Sequence, residues 1–336
     1  MILISIIIGY ILDLIFGDPY SFPHPVRFIG KLIKFLDQKI RAIAKNKRTL
    51  KIGGFFLWII TVGTTYIITY LIIKVSSINI YLLIIVNSIL IYTTLSTKCL
   101  KDEAIKIYKV LKENDLEKSR IQLSYIVGRD TKNLSKLEII RAVVETVAEN
   151  TVDGIISPMF YAFIGGAPLA MAYKAVNTLD SMVGYKNEKY ADIGFASAKI
   201  DDIANFIPAR ITIFFMSIAS IFLGYDYKNC IKIAIRDRKN HKSPNCAYPE
   251  GAISGALGIQ LGGTNTYFGE SVYKPTIGDK IREIDEEDIV RTNKIMYLSG
   301  LRRFASVPEL TPAHFTNTPP DPSEFCNSTH KSRKGA

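Results

Sequence analysis

Six short polar clusters recur along this chain, and most abut segments that carry no charge. In the first, His24 sits between Pro23 and Pro25, with Asp18 and Arg27 close by. The flanking prolines fix the backbone and hold the imidazole in place, for chemistry or simply as a rigid turn. The second holds Glu145, Glu149, Asn150 and Asp153 at the end of one amphipathic run. Carboxylates so close repel unless a cation or basic group sits among them, and an all-oxygen set suits magnesium. A solvated helix end is the plainer reading. The third, Lys174, Asn177, Asp180 and Ser181, shares one helical face directly after an apolar run. Polar groups at membrane depth are expensive and tend to be functional. Lys199, Asp201, Asp202, Asn205 and Arg210 form the fourth, and His241, Ser243, Asn245 and Glu250 the fifth. The sixth runs from Tyr267 to Asp279 and includes Lys274. Carboxylates for a metal and cations for phosphate oxygens suit phosphoryl or acyl-phosphate chemistry. Phosphate-loop, dinucleotide, nucleophile-elbow and zinc-protease motifs do not occur. By spacing alone the chain is a membrane enzyme or a transporter with an anionic substrate.

The elements that must position these residues are membrane helices. Gly53–Ile73 is 21 residues without a charge and Val75–Thr97 is 23. Each exceeds the ~20 residues that cross ~30 Å of hydrocarbon. Charged residues make up 22% of the 336 and mean hydropathy is +0.16, which excludes an ordinary globular enzyme and a disordered chain. The apolar start, about 1–16, lacks a basic region and a cleavage site and reads as a first embedded helix, with Asp13 near its end. Further membrane segments are expected at about 155–173 and 203–225. Gly165, Gly166 and Pro168 break the former, which predicts a broken or re-entrant pair of helices. The 53–97 hairpin needs only a minimal connector around Lys74.

Net charge is +11, and eight basic residues face one acid between Lys31 and Lys51. Flanking an apolar run, this excess marks a cytoplasmic side. No recognition module accompanies it, so nucleic acid is not an expected partner. Lys98–Glu149 is polar and helical in pattern, and Ser135 with Glu138 forms a capping box for its last helix. Ile139, Ile140, Val143, Val144 and Val147 give that helix its apolar face, with Glu138, Arg141, Glu145 and Glu149 opposite. Gly251/Gly255 and Gly258/Gly262 are GxxxG pairs that permit close helix contact. From 302 the proline-rich sequence predicts a disordered tail. The fold class is therefore all-α: a polytopic integral membrane protein with cytoplasmic helical loops and one embedded domain over 1–301.

The motifs in order resemble the CobD/CbiB family of cobalamin biosynthesis. They include Asp13–Pro19, His24–Gly30, Val127–Thr131, Glu145–Gly154, Tyr173–Tyr185, Ser243–Asn245 and Lys274–Asp279. The likeness runs from about residue 9 to about 300. In that family the Met296–Gly300 region leads into a final apolar segment, which Arg302, Arg303 and the proline-rich tail replace here. The resemblance implies an adenosylcobinamide-phosphate synthase, an amide ligase using ATP and Mg2+. It would join a propionate carboxylate of adenosylcobyric acid to an amino alcohol phosphate. On that reaction Glu149, Asp153, Asp201 and Asp202 are expected to hold magnesium. Lys174, Arg129 and Arg210 are expected on phosphate groups, and His24 or His241 to take the amine proton. Asp180 joins the catalytic candidates, and Arg27, Asn150, Asn177, Asn245 and Glu250 complete the expected substrate contacts. The implied setting is a prokaryotic cytoplasmic membrane with the site facing the cytoplasm. Expected partners are the corrinoid, the amino alcohol phosphate and lipid, with a homo-oligomer or other cobalamin-pathway enzymes in addition. A corrinoid-binding or transport protein without turnover is the rival class.

Overall fold

The computed structural model describes residues 1–18, 24–185, 187–267 and 270–300. The tail expected from 302, residues 19–23 of the first cluster and 268–269 of the last lie outside them.

Long apolar helices form the frame. Helix α1 is Ile2–Phe16, α2 Pro25–Ile43, α3 Lys47–Ser76 and α4 Ile80–Tyr92. Helix α3 opens with a reciprocal cap: Thr49 N–H donates to Asn46 Oδ1 at 2.9 Å and Asn46 N–H to Thr49 Oγ1 at 3.1 Å. Only 22% of its most apolar window is buried in the protein, so its outer side meets lipid. The connector to α4 is 77–79, not Lys74, which lies in the last turn of α3. Asn79 sets the boundary by accepting Tyr81 N–H at 2.8 Å. By length and composition Lys47–Ser76, Ile80–Lys112 and Lys136–Val183 could each cross a membrane. A pair bent by 43°, Phe195–Ala204 and Phe206–Phe222, raises the number among the described residues to as many as four.

Helices α5 (Thr97–Lys112) and α6 (Leu116–Ser124) make the polar segment expected after the hairpin. Helix α7, Lys136–Thr151, starts at the expected capping box. Ser135 N–H donates to Glu138 Oε2 at 2.8 Å and Glu138 N–H to Ser135 Oγ at 3.4 Å. Its apolar face, including Ile139, Val143 and Val147, is fully buried at the centre of the larger core. A π-helical turn at Val152–Ile156 leads into α8, Ser157–Val183.

Helix α8 is not straight. Gly165 and Gly166 leave helical geometry, Gly166 with φ 64°, and Pro168 brings no N–H. Asn87 of α4 repairs the break by accepting Ala167 N–H at 2.9 Å. The chain then doubles back: the rings of Tyr161 and Tyr173 stack with centroids 5.0 Å apart. A straight helix would separate these positions by about 18 Å. The outward limb, 157–164, rises only about 12 Å, less than half the hydrocarbon thickness. This is the broken or re-entrant pair of helices expected from the sequence.

Helices α9 (Phe195–Ala204), α10 (Phe206–Phe222), α11 (Tyr227–Arg236), α12 (Ala247–Leu257) and α13 (Glu287–Gly300) complete the helical set. The chain also contains one antiparallel hairpin, β1 Leu261–Tyr267 and β2 Glu270–Ile277, with Thr264 opposite Tyr273. It corrects the reading of the small-residue run. Gly251 and Gly255 do pack a helix closely: a Cβ at Gly255 would lie 2.2 Å from Asn229 O of α11. Gly258 instead ends α12 in the left-handed region and Gly262 belongs to β1, so they form no helix pair. A second, smaller core joins Ile29 and Ile33 of α2 to Leu57 of α3 and Leu179 of α8.

Candidate functional site

The acidic stripe of α7 faces the interior. Glu145 is fully buried and Glu149 nearly so. Buried carboxylates need partners, and these come from distant parts of the chain. Arg129 donates a guanidinium N–H to Glu145 Oε2. Gly262 N–H of β1 donates to Glu145 Oε1 at 2.8 Å, and Lys274 Nζ of β2 lies 3.9 Å from the same oxygen. Lys274 also donates to both oxygens of Glu250 on α12, at 2.8 and 2.7 Å. Four alternating charges thereby tie α7, α12 and the hairpin together. One turn further along, Glu149 Oε1 accepts the Cys246 thiol at 2.9 Å.

The second chamber lies at the foot of the re-entrant hairpin. The wider π turn carries Asp153 past the end of α7, and such turns favour functional sites. Lys174, on the returning limb of α8, is wholly buried, and its ammonium makes no hydrogen bond or ion pair with a described residue. Asp18, Asp153 and Asp13 are the anions whose charge reaches it. Asp13 Oδ2 accepts Thr97 N–H at 2.8 Å, and its Oδ1 is buried without a hydrogen bond among the described residues. His24 Nε2 stands 3.5 Å from Asp18 Oδ1. A polar frame fixes the wall. Asp201 accepts Asn205 Nδ2 at 2.8 Å and Asn177 Nδ2 at 3.4 Å. Asn205 Oδ1 in turn accepts the Ser157 and Tyr173 hydroxyls at 2.6 and 2.8 Å. Tyr173 also donates to Asp153 O at 3.2 Å, so both limbs of the hairpin are pinned to α9.

The expected residues separate accordingly. Asp153 and Asp18 lie within charge reach of Lys174, His24 stands beside Asp18, and Asn177 on the same helix bonds Asp201. Arg129 and Glu250 meet in the four-charge network. Asp202 belongs elsewhere: it accepts Ser243 Oγ at 3.1 Å, and its backbone carbonyl accepts Asn245 Nδ2 at 2.7 Å. No three His, Cys, Asp or Glu side chains among the described residues form a metal cage. Arg210 stacks over the rings of Phe206 and Tyr248 and donates to Phe206 O, which leads it away from Lys174. Asn150 turns its amide back onto Thr146 O at 2.8 Å. Asp180 is buried where α8 ends, its carbonyl accepting Gly184 N–H at 2.7 Å. Arg27 is half-buried in the first turn of α2.

Each of the two expected histidines receives a backbone N–H on one ring nitrogen. His24 Nδ1 caps α2 by accepting Val26 N–H at 3.3 Å, and His241 Nδ1 accepts Ser243 N–H at 2.9 Å. In these arrangements the neutral ring carries its proton on Nε2. Burial pushes the Cys230 thiol up to about 12. An apolar cavity of about 350 Å³ between α1, α8, α10 and α13 is lined by Ile6, Phe160, Phe215 and similar side chains, and stands apart from both charged sites. Asp18, Glu145, Asn205 and Lys274 stand in the polar clusters without an assigned role, and Asp13 and Tyr173 stand outside them. A lone aspartate in an apolar helix was the available signal for Asp13.

The family described as CobD/Cbib protein matches residues 6–296. The chain belongs to the CobD/Cbib family. It is 53% identical over 305 residues to "Cobalamin biosynthesis protein CobD" of Listeria monocytogenes serovar 1/2a, covering 90% of this chain and 96% of the relative. The Clostridium perfringens protein of the same name is 56% identical over 295 residues, 88% of this chain and 93% of the relative. "Cobalamin biosynthesis protein CbiB" of Salmonella choleraesuis is 50% identical over 301 residues, 89% and 94%. No solved structure matches the chain. Both charged sites fall inside the part matched to the CobD/Cbib family.

Proposed function

We propose that this chain acts in cobalamin biosynthesis as an ATP- and magnesium-dependent amide ligase of the cytoplasmic membrane. It joins a propionate carboxylate of adenosylcobyric acid to the amine of an amino alcohol phosphate such as aminopropanol phosphate. The reading is supported by family membership together with one observation: the buried ammonium of Lys174, which makes no hydrogen bond or ion pair among the described residues and lies within charge reach of Asp18, Asp153 and Asp13.

A carboxylate resists amines because its leaving group would be oxide. ATP, when bound, supplies the phosphoryl group that gives that oxygen a stable way to leave. The chain's part is to bind and orient the reactants. An isolated ammonium in a low-dielectric interior costs several kcal/mol, and phosphate oxygens complement it. Lys174 holds such oxygens and stabilises charge that develops on them. Asp153 lies at the rim, where one carboxylate suffices for magnesium that keeps phosphates and water as its other ligands. The donor set thus fits a phosphate-bound magnesium and does not fit an all-protein cage. Asn177, Asp201, Asn205 and Tyr173 hold the hairpin limb that carries Lys174, and His24 orders the entry of α2 beside Asp18. The re-entrant path keeps Asp153 and Lys174 on one side of the membrane, which the reading places at the cytoplasm.

Purified protein in detergent, given ATP, magnesium, the corrinoid acid and a panel of amino alcohol phosphates, forms a product of the amide's mass. Tight corrinoid binding with no such product under any amine would establish a carrier instead. Asp153→Asn raises the magnesium requirement; an unchanged requirement removes Asp153 from the metal.

A further inference from the structure

Helix α2 has two unlike faces. Val26, Ile29 and Ile33 are buried, the latter two against Leu57 of α3 and Leu179 of α8. The opposite face exposes two aromatic rings, Phe28 at 62% and Phe35 at 54%, far above a buried ring's value. Lysines run alongside them: Lys31 Nζ is 5.9 Å from the Phe28 ring centre and Lys39 Nζ 5.7 Å from that of Phe35. Lys31, Lys34 and Lys39 are all exposed. The single acid of the helix, Asp37, is engaged by Arg41 Nε at 2.9 and 3.1 Å and adds little opposing charge. Lys45, Lys47, Arg48 and Lys51 continue the basic surface into the first turn of α3.

Two features fix where this face lies. Charges spread along α2 exclude it from hydrocarbon. Yet only residues 44–46 separate α2 from α3, whose apolar outer side meets lipid. Helix α2 therefore lies in the interface, with rings at acyl-chain depth and lysines at headgroup level. We propose that the outer face of α2 is a binding surface for anionic phospholipid headgroups in the leaflet that α3 enters. The charge selects the lipid: eight basic residues against one engaged acid between Lys31 and Lys51 favour anionic over zwitterionic headgroups.

The chain has one tryptophan, Trp58, so a reporter is simple to place. The full chain carrying Trp58→Phe and Phe35→Trp is reconstituted in neutral lipid. Brominated phosphatidylglycerol or brominated phosphatidylcholine is added at equal mole fraction. The anionic quencher is expected to quench about twofold more than the neutral one, and high salt or the added triple change K31Q/K34Q/K39Q to bring the two to parity. Equal quenching by both lipids overturns the proposal. So does quenching by neither, which would place this face against water or a partner protein. A preference that survives the triple change overturns the assignment to these lysines. Unchanged elution and ellipticity of each variant shows that the fold is intact.

Discussion

The two charged interiors of this protein are built from the same residue types and differ in closure. Around Glu145, Arg129, Lys274 and Glu250 alternate in sign and bond one another, with a backbone N–H from β1 taking part. Around Lys174 the carboxylates exert their charge, but among the described residues none bonds its ammonium. A closed network offsets its own desolvation and joins elements. An open one keeps its interaction energy for something bound. The difference assigns architecture to the first region and chemistry to the second, although both would count as buried charge.

Lys174→Met tests that division most severely. Methionine keeps the volume and removes the cation. Ligation is expected to fall about 10²–10³-fold, while the thermal midpoint in detergent holds or rises, because an uncompensated buried charge has gone. A matching fall in the midpoint would make Lys174 structural and erase the contrast. Glu145→Gln should behave in the opposite way. It removes the carboxylate charge that Arg129 bonds, while Lys274 keeps Glu250, and costs about 3–5 kcal/mol, read as loss of folded protein before any effect on turnover per folded molecule. Full stability in that variant would show that the network is not what ties the hairpin to α7.

The sequence disclosed the open region better than the closed one, for a physical reason. Lys174, Asn177 and the Gly165–Pro168 break are local signals: a charge after an apolar run, and a backbone that cannot continue a helix. The Ser135–Glu138 cap is local too. The closed network is assembled from Arg129, α7, α12 and β2, with Glu145 and Lys274 lying 129 positions apart. From α7 alone, Glu145 and Glu149 look like a solvated stripe, because helical periodicity distinguishes apolar from polar faces and not water from a buried partner. The same limit hid the hairpin, whose glycines resemble a helix-packing motif until Gly258 ends α12. It also hid the cap that His24 supplies to α2, which shows only once Val26 N–H is seen on its ring nitrogen.

A smaller effect is expected in the frame of the open chamber. Tyr173→Phe removes the hydroxyl that donates to Asn205 Oδ1 and Asp153 O. It should cost about 1 kcal/mol and raise KM more than it lowers kcat, because the returning limb loses an anchor but Lys174 remains. Asn205→Ala should exceed it, as Asn205 also bonds Ser157 and Asp201. If both variants leave KM unchanged, the hairpin's position does not depend on this frame, and the open chamber must be shaped by packing alone.

The smallest effect belongs to an ion pair outside both regions, which calibrates them. Burial pushes the Asp237 carboxyl up, but the two hydrogen bonds from Arg236 and the Gly278 N–H outweigh this and hold it below the usual carboxylate range. The folded state then binds this proton less readily than the unfolded state. Its stabilisation is present above about pH 4, the ordinary carboxylate value, and is lost as pH falls through the lowered one. Because Arg236 is 42% exposed, the contribution is at most about 1 kcal/mol. Thermal midpoints of the wild type and Asp237→Asn should differ near neutral pH and converge in acid. A gap that persists in acid would mean that Asp237 acts through shape rather than charge, and the same question would then have to be asked of the Glu145 network before its closure is credited with holding the fold.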